Sequence, residues 1–345
     1  MKIGCLLFIF SLALRVAAQQ TNFVYTNDGG TPANTVSAFQ VNADGSLTLI
    51  PGSPFSTGGN GGSSNVDAGK IAIATRERDG FLYAANDIDG TISAFRINRA
   101  SGNLTPVHGS PFPSGTPNPS SNFSLAASPD GKLLFATDET STVIHIFAIR
   151  EESGALAELP HSPVEVDALS QGLRVSPDGR FLVVGLTSIN SVGVFAVDKR
   201  GNLTPAPGSP FPASGAATAV EVNCESDRVF ASDAGLSVID AYRMPPNGRL
   251  TPVSGSPFPS GGSSTINALT LSPDNRHLFT SNLFNDTVSS LTVHANGSLA
   301  PVRGSPFQAD DFVGAIAATR NGNFLYASSV DESAVDGWSI GPGGV

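Results

Sequence analysis

Apolar residues along this chain come in short runs separated by Gly, Pro, Asn and Asp, and nowhere do they keep a helical spacing over several turns. One cycle shows the pattern. Gln171–Ser176 (QGLRVS) reads as a strand and Pro177-Asp178-Gly179 as a turn. Phe181–Leu186 (FLVVGL) and Ser191–Val197 (SVGVFAV) are two more strands, Lys199-Arg200-Gly201 is a turn, and Leu203–Ala206 (LTPA) is a fourth strand. The runs are rich in β-branched and aromatic residues, which suit a pleated, buried surface. The cycle closes on Gly208-Ser209-Pro210-Phe211. Pro removes a ladder donor and Gly tolerates positive φ, so the strand stops and the chain turns. The Phe that follows is placed to plug the gap between neighbouring units.

The cycle repeats. Gly-Ser-Pro-Phe stands at 52–55, 109–112, 208–211, 255–258 and 304–307, with a worn copy at His161–Val164, and successive starts lie 57, 52, 47, 47 and 49 residues apart. The second-strand run begins at Phe23, Phe81, Leu133, Phe181, Val229, His277 and Phe324; the third-strand run recurs as often, from Thr35 to Ala334. A fixed period of this length marks stacked supersecondary units. Seven copies of about 47 residues, four strands each, predict an all-β fold, a seven-bladed β-propeller whose radial repetition protects strand edges. The first copy begins at its second strand and the last stops after its third. Both terminal blades are therefore expected to be incomplete, with weak closure between them.

The runs LRVSPDGRFLVVG (173–185), LAASPDGKLLFATD (125–138) and TISAFRI…GNLTPV (91–107) resemble the repeats of lactonase-family propellers. That family groups 6-phosphogluconolactonase-like and carboxymuconate-cyclase-like proteins and grades into YVTN repeats. The resemblance covers essentially the whole repeat region, residues 19–345, read as a single propeller domain. It implies the fold more strongly than the activity, because function resides in sites grafted onto folds.

Residues 1–18 read as a secretory signal peptide: Lys2 supplies the positive start, Cys5 to Leu14 the apolar stretch, and Val16-Ala17-Ala18 the small-residue cleavage site. The expected location is secreted or extracytoplasmic, with no membrane association after cleavage. The formal net charge of −10 becomes −12 once Lys2 and Arg15 leave, so the surface repels nucleic acid and no nucleic-acid partner is expected. Cys224 then remains as a lone thiol, no internal disulfide is available, and stability rests on the core. A monomer is expected.

Aligning the innermost strands on their turns puts Ala72, Ala126, Arg174, Thr270 and Ala317 at one position, and a one-residue shift at the degenerate turn Cys224–Asp227 adds Glu221. Arg174 and Glu221 thus fall on adjacent inner strands among apolar neighbours, where unpaired charges are costly. One reading is a channel-mouth pair in which Arg grips a carboxylate or lactone carbonyl and Glu acts as acid or base. The other is a salt bridge fixing the register of two blades. The resemblance implies His, Glu and Arg side chains on inner strands. Here Gln171 stands where the matching Arg would sit, and no inner strand carries a His. Gln171 and Thr270 are kept as candidate ligand-binding positions beside the candidate catalytic pair Arg174 and Glu221.

No GxSxG elbow, HExxH, Walker loop or paired-cysteine site is present. Asp28, Asp87, Asp89, Asp138, Glu139, Asp233, Asp286, Asp331 and Glu332 follow second strands, and Asp67, Asp167, Asp310 and Asp311 lie in outer-to-inner crossovers, so one face is expected to be acidic. Ca²⁺ is a possible cofactor there on chemical grounds; otherwise these residues make Asx turns. No dedicated metal site is expected. These features favour a secreted binding or interaction module without strong catalysis, whose partner is a small lactone or carboxylate, an extracellular protein or a glycan. The alternative is a lactone hydrolase or a cycloisomerase of small carboxylates. An acidic face would repel a phosphorylated sugar lactone, which speaks against that substrate.

Overall fold

The computed structural model describes residues 22–62, 70–76, 80–115, 123–262, 265–329 and 334–345; the expected signal peptide, residues 1–18, lies outside them. Seven antiparallel sheets form the blades of a seven-bladed propeller. In blade 4 the strands are Ser170–Val175, Phe181–Leu186, Ser191–Val197 and Leu203–Pro205, running from the central channel outward. The only helical turns among the described residues are the short 3-10 segments Thr187–Ile189 and Leu283–Asn285.

The Gly-Ser-Pro-Phe stretch does more than stop a strand. After the turn the chain comes back to the strand it has just left, and Phe211–Pro212 pairs with Val192 and Ser191 beyond the segment already paired with Leu203–Pro205. Six blades carry such a two-residue strand. In all six, a cis Ser–Pro bond presents the serine, whose hydroxyl oxygen accepts the third-strand N–H of Ala38, Ala94, Ile146, Val194, Ala241 or Ser290 at 2.8–3.0 Å. The Phe then wedges between blades. Phe211 packs with Val220 and Val229 of blade 5, and Phe55 with Leu82, Ala84 and Phe95 of blade 2. Burying such a ring contributes about 2–3 kcal/mol.

Blade 1 contains Phe23–Asn27, Thr35–Val41 and Leu47–Leu49, and blade 7 contains Val313–Ala318, Phe324–Ser329 and Ala334–Ser339. Among the described residues blade 1 therefore lacks an innermost strand and blade 7 an outermost one. The interface between them nonetheless carries a contact used elsewhere in the ring. Tyr326 donates its hydroxyl to Gly45 O at 2.7 Å, as Tyr25 does to Gly102 O at 2.9 Å and Tyr83 to Gly154 O at 2.8 Å. Gly45 has φ +88°, and a Cβ there would lie 2.4 Å from the Phe324 ring. Only glycine lets the turn close onto the preceding blade at that point.

Candidate active site

The inner strands fall into register as their turns suggest. Ala72, Ala126, Arg174, Glu221, Thr270 and Ala317 stand opposite Tyr83, Phe135, Val183, Phe230, Phe279 and Tyr326, the third residue of the following strand in every case but Tyr83, which is the fourth. Arg174, Glu221 and Thr270 thus occupy one level on consecutive blades. At two glycines the backbones of blades 4 and 5 come into close contact. A Cβ on Gly172 would lie 2.6 Å from Thr218 O, and one on Gly185 would lie 2.1 Å from Ala217 O. Any larger residue at either position would push blade 4 away from the inner strand of blade 5.

Across that seam Arg174 Nη2 donates to Glu221 Oε2 at 2.7 Å, and the Val222 N–H donates to Glu221 Oε1 at 3.0 Å. The Glu221 side chain is 11% exposed and that of Arg174 45%, so the guanidinium reaches solvent and the carboxylate does not. Burial holds the Glu221 carboxyl above its ordinary value, with Arg174 and the two hydrogen bonds pulling the other way. A carboxyl raised in this manner, beside a cation with donors to spare, suits proton transfer near a polarised carbonyl. Gln171 sits at a bulge between Ser170 and Leu173, three residues up the strand from Arg174, or roughly 10 Å along it at 3.3 Å per residue.

Arg174 lies one residue from the end of its strand at Val175, close to the Pro177–Gly179 turn. The acidic loops surround the opposite end of the channel, where Ser170 pairs with Leu186. Four residues of strand, about 13 Å, separate the pair from that rim, beyond the ~8 Å over which exposed charges are screened at physiological ionic strength. The pair is therefore not at the acidic mouth.

That face is also less acidic than its composition implies. Asp87, Asp138 and Asp233 are buried. Asp138 accepts from the Thr140 N–H and hydroxyl, and Asp233 from the N–H groups of Gly235 and Leu236, as Asx-type turns do. Asp87 pairs with Lys70 at 2.6 Å, the two side chains being 4% and 7% exposed. Sequence reasoning missed Lys70; its position just before the inner strand of blade 2, opposite a loop Asp, was the available signal. The same face displays Leu169, Ile189, Leu236 and Phe284, the last at 61% exposure, on its loops. Asp67, Asp331 and Glu332 lie outside the described residues. Among the described residues no three His, Cys, Asp or Glu side chains converge as a metal-ligand set.

No inner strand carries a histidine among the described residues. His145, buried on a third strand, has its Nδ1 2.8 Å from Glu158 Oε1, and buried His277 opens a second strand.

This geometry defines a propeller with one polar pair set in an otherwise small-residue ring. Residues 32–170 match the family described as "Lactonase, 7-bladed beta-propeller", so this stretch is similar to the propellers of that family. The chain is similar to the 6-phosphogluconolactonase of Sodalis glossinidius, with 30% identity over 144 residues, 41% of this chain and 43% of the relative. The chain thus spans less than half the length of the curated relatives it matches. Among solved structures it superposes on a chain from Bacteroides fragilis with a TM-score of 0.74 at 16% identity, covering 96% of this chain and 94% of the other. On the periplasmic gluconolactonase of Pseudomonas aeruginosa the TM-score is 0.72 at 18% identity, with 93% and 92% coverage. The structural likenesses show the fold, and the sequence likeness to a 6-phosphogluconolactonase sits better with the lactone-hydrolase alternative than with the binding module. The case for the latter rested on the missing inner-strand His and Arg and on an acidic exported surface. Among the described residues no helix is long and apolar enough to cross a membrane.

Proposed function

We propose that this protein hydrolyses a sugar lactone of the gluconolactone type. The observation that carries the proposal is the 2.7 Å contact between half-exposed Arg174 and buried Glu221 on adjacent inner strands. In this reading Arg174 donates to the lactone carbonyl oxygen and stabilises the negative charge that develops there. Glu221 takes a proton from the attacking water, the new C–O bond forms, and the ring C–O bond then breaks as Glu221 returns the proton to the leaving alkoxide. The product is the open hydroxy acid, which loses its carboxyl proton to solvent. Thr270, at the same level on the next blade, is placed to bond a sugar hydroxyl.

The relatives' names support the substrate class, and the distance of the pair from the acidic rim leaves both neutral and phosphorylated lactones open to it. Export across a membrane, suggested by residues 1–18, fits a protein acting on lactones outside the cytoplasm. The test is acid release from δ-gluconolactone and from its 6-phosphate at neutral pH. Turnover well above spontaneous hydrolysis is expected on one of them, and background rates on both would end the proposal.

A further inference from the structure

Blades 2 and 6 close one corner with neutral hydrogen bonds, and blade 5 lines the same corner with carboxylates. In blade 2 the second strand ends on Asn86, whose Nδ2 donates to Thr91 Oγ1 at 3.0 Å and to Ser93 Oγ at 2.8 Å on the third strand. In blade 6 Asn282 donates likewise to Thr287 at 3.1 Å and Ser289 at 2.8 Å. A glycine of the incoming crossover, Gly59 or Gly262, lies against each amide, and a Cβ there would come within 2.5–2.6 Å of it. The register fixes the equivalents in blade 5. Ala84 pairs with Ser93, Thr280 with Ser289 and Ala231 with Asp240, so Asp233, Val238 and Asp240 replace the Asn, Thr and Ser, and Gly215 is the crossover glycine. The amide donor has become an acceptor, one hydroxyl an apolar side chain and the other a second acid. We propose that this corner of blade 5 binds a hard divalent cation, Ca²⁺, between Asp233 and Asp240.

The two carboxylates converge on neighbouring residues of the crossover. Asp240 accepts from the Ser214 N–H at 2.9 Å and from its hydroxyl at 2.8 Å, and Asp233 Oδ2 faces Gly215, where a Cβ would lie 2.1 Å away. Asp233 is 1% exposed and Asp240 6%. The Gly235 and Leu236 N–H groups satisfy Asp233 Oδ1, but buried Oδ2 has no hydrogen-bond partner among the described residues. Among those residues no Lys, Arg or His pairs with either acid, and Arg228 and Arg243 stand at the opposite end of the blade. Burial holds the Asp240 carboxyl above its ordinary value, against the two bonds from Ser214 and with the charge of Asp233 adding to the rise. Two buried acids side by side are tolerated when a positive charge joins them. The donors on offer are all oxygen, two carboxylates and the Ser214 hydroxyl, which suits Ca²⁺ and disfavours a soft metal. Ca²⁺ takes about six to eight oxygens, so waters or backbone carbonyls would complete its shell.

The full chain, stripped of metal by a chelator, is melted at pH 7 with and without CaCl2. Calcium at about a hundredfold its Kd should raise Tm by about 3–6 °C, and isothermal titration should count one ion per chain. Combining Asp233→Asn with Asp240→Ser rebuilds the neutral corner of blades 2 and 6, so this variant should fold and should melt at one temperature with or without calcium. An unchanged Tm in the parent, or an equal rise in the double variant, would overturn the proposal. So would a parent that ignores calcium but gains stability relative to the double variant on acidification, since the pair would then hold a proton.

Discussion

Replacing Arg174 by Met keeps the apolar stem and removes the charge that faces Glu221. An exposed ion pair contributes about 0–1 kcal/mol, and breaking a fully buried one costs about 3–5 kcal/mol. With Glu221 11% exposed and Arg174 45% exposed, the pair falls between these cases. A loss of about 1.5–2.5 kcal/mol at pH 7 follows, discounted for the solvent that reaches the guanidinium. The loss should depend on pH in a definite direction. Burial already holds the Glu221 carboxyl above its ordinary value of 4.5, and Arg174 opposes that rise, so its removal pushes the carboxyl higher. A carboxyl raised on folding binds more protons in the native state than in the unfolded one, so stability is full below 4.5 and declines as pH rises through the folded value. The variant should therefore be most destabilised at neutral pH and come within about 0.5 kcal/mol of the parent near pH 4, where Glu221 is neutral in both states. Urea unfolding of both proteins at pH 4 and pH 7 measures this. An equal deficit at both values, or no deficit at pH 7, would refute the coupling.

Three further outcomes are expected. Lys70→Met leaves Asp87 buried without its partner and should cost about 3–5 kcal/mol in urea unfolding, most of it recovered when Asp87→Leu is added. Tyr326→Phe removes the hydroxyl that closes blade 7 onto Gly45 and should lower stability by about 1 kcal/mol, with hydrogen exchange accelerated first in blades 7 and 1. Phe211→Ala, emptying a wedge that is 7% exposed, should cost about 3–4 kcal/mol by thermal or chemical unfolding.

The architecture was legible because the chain states it seven times over. Phe181–Leu186 and Ser191–Val197 occur as strands with the bounds their apolar runs suggest. The one-residue offset at Cys224–Asp227 likewise places Glu221 opposite Phe230, level with Arg174 opposite Val183. Local patterning could not show that the chain returns to the same third strand after each Ser–Pro turn, because two-residue strands carry no period of their own. Nor could it show which acids face water. Asp89 and Asp233 both follow second strands, yet Asp89 is exposed while Asp233 turns inward to cap Gly235 and Leu236. That difference lies in loop geometry. The two ends of the channel were legible, since Arg174 stands three residues before the Pro177–Gly179 turn and the acidic loops lie at the other strand ends.

The account stands or falls on kcat/KM for δ-gluconolactone in the parent chain and in Glu221→Gln, each shown to be folded by its unfolding curve. General acid–base catalysis is worth 10²–10⁴-fold, so the variant should lose at least about a hundredfold while still binding the lactone. Equal kcat/KM in the two proteins would contradict the assignment of this pair as the reactive centre.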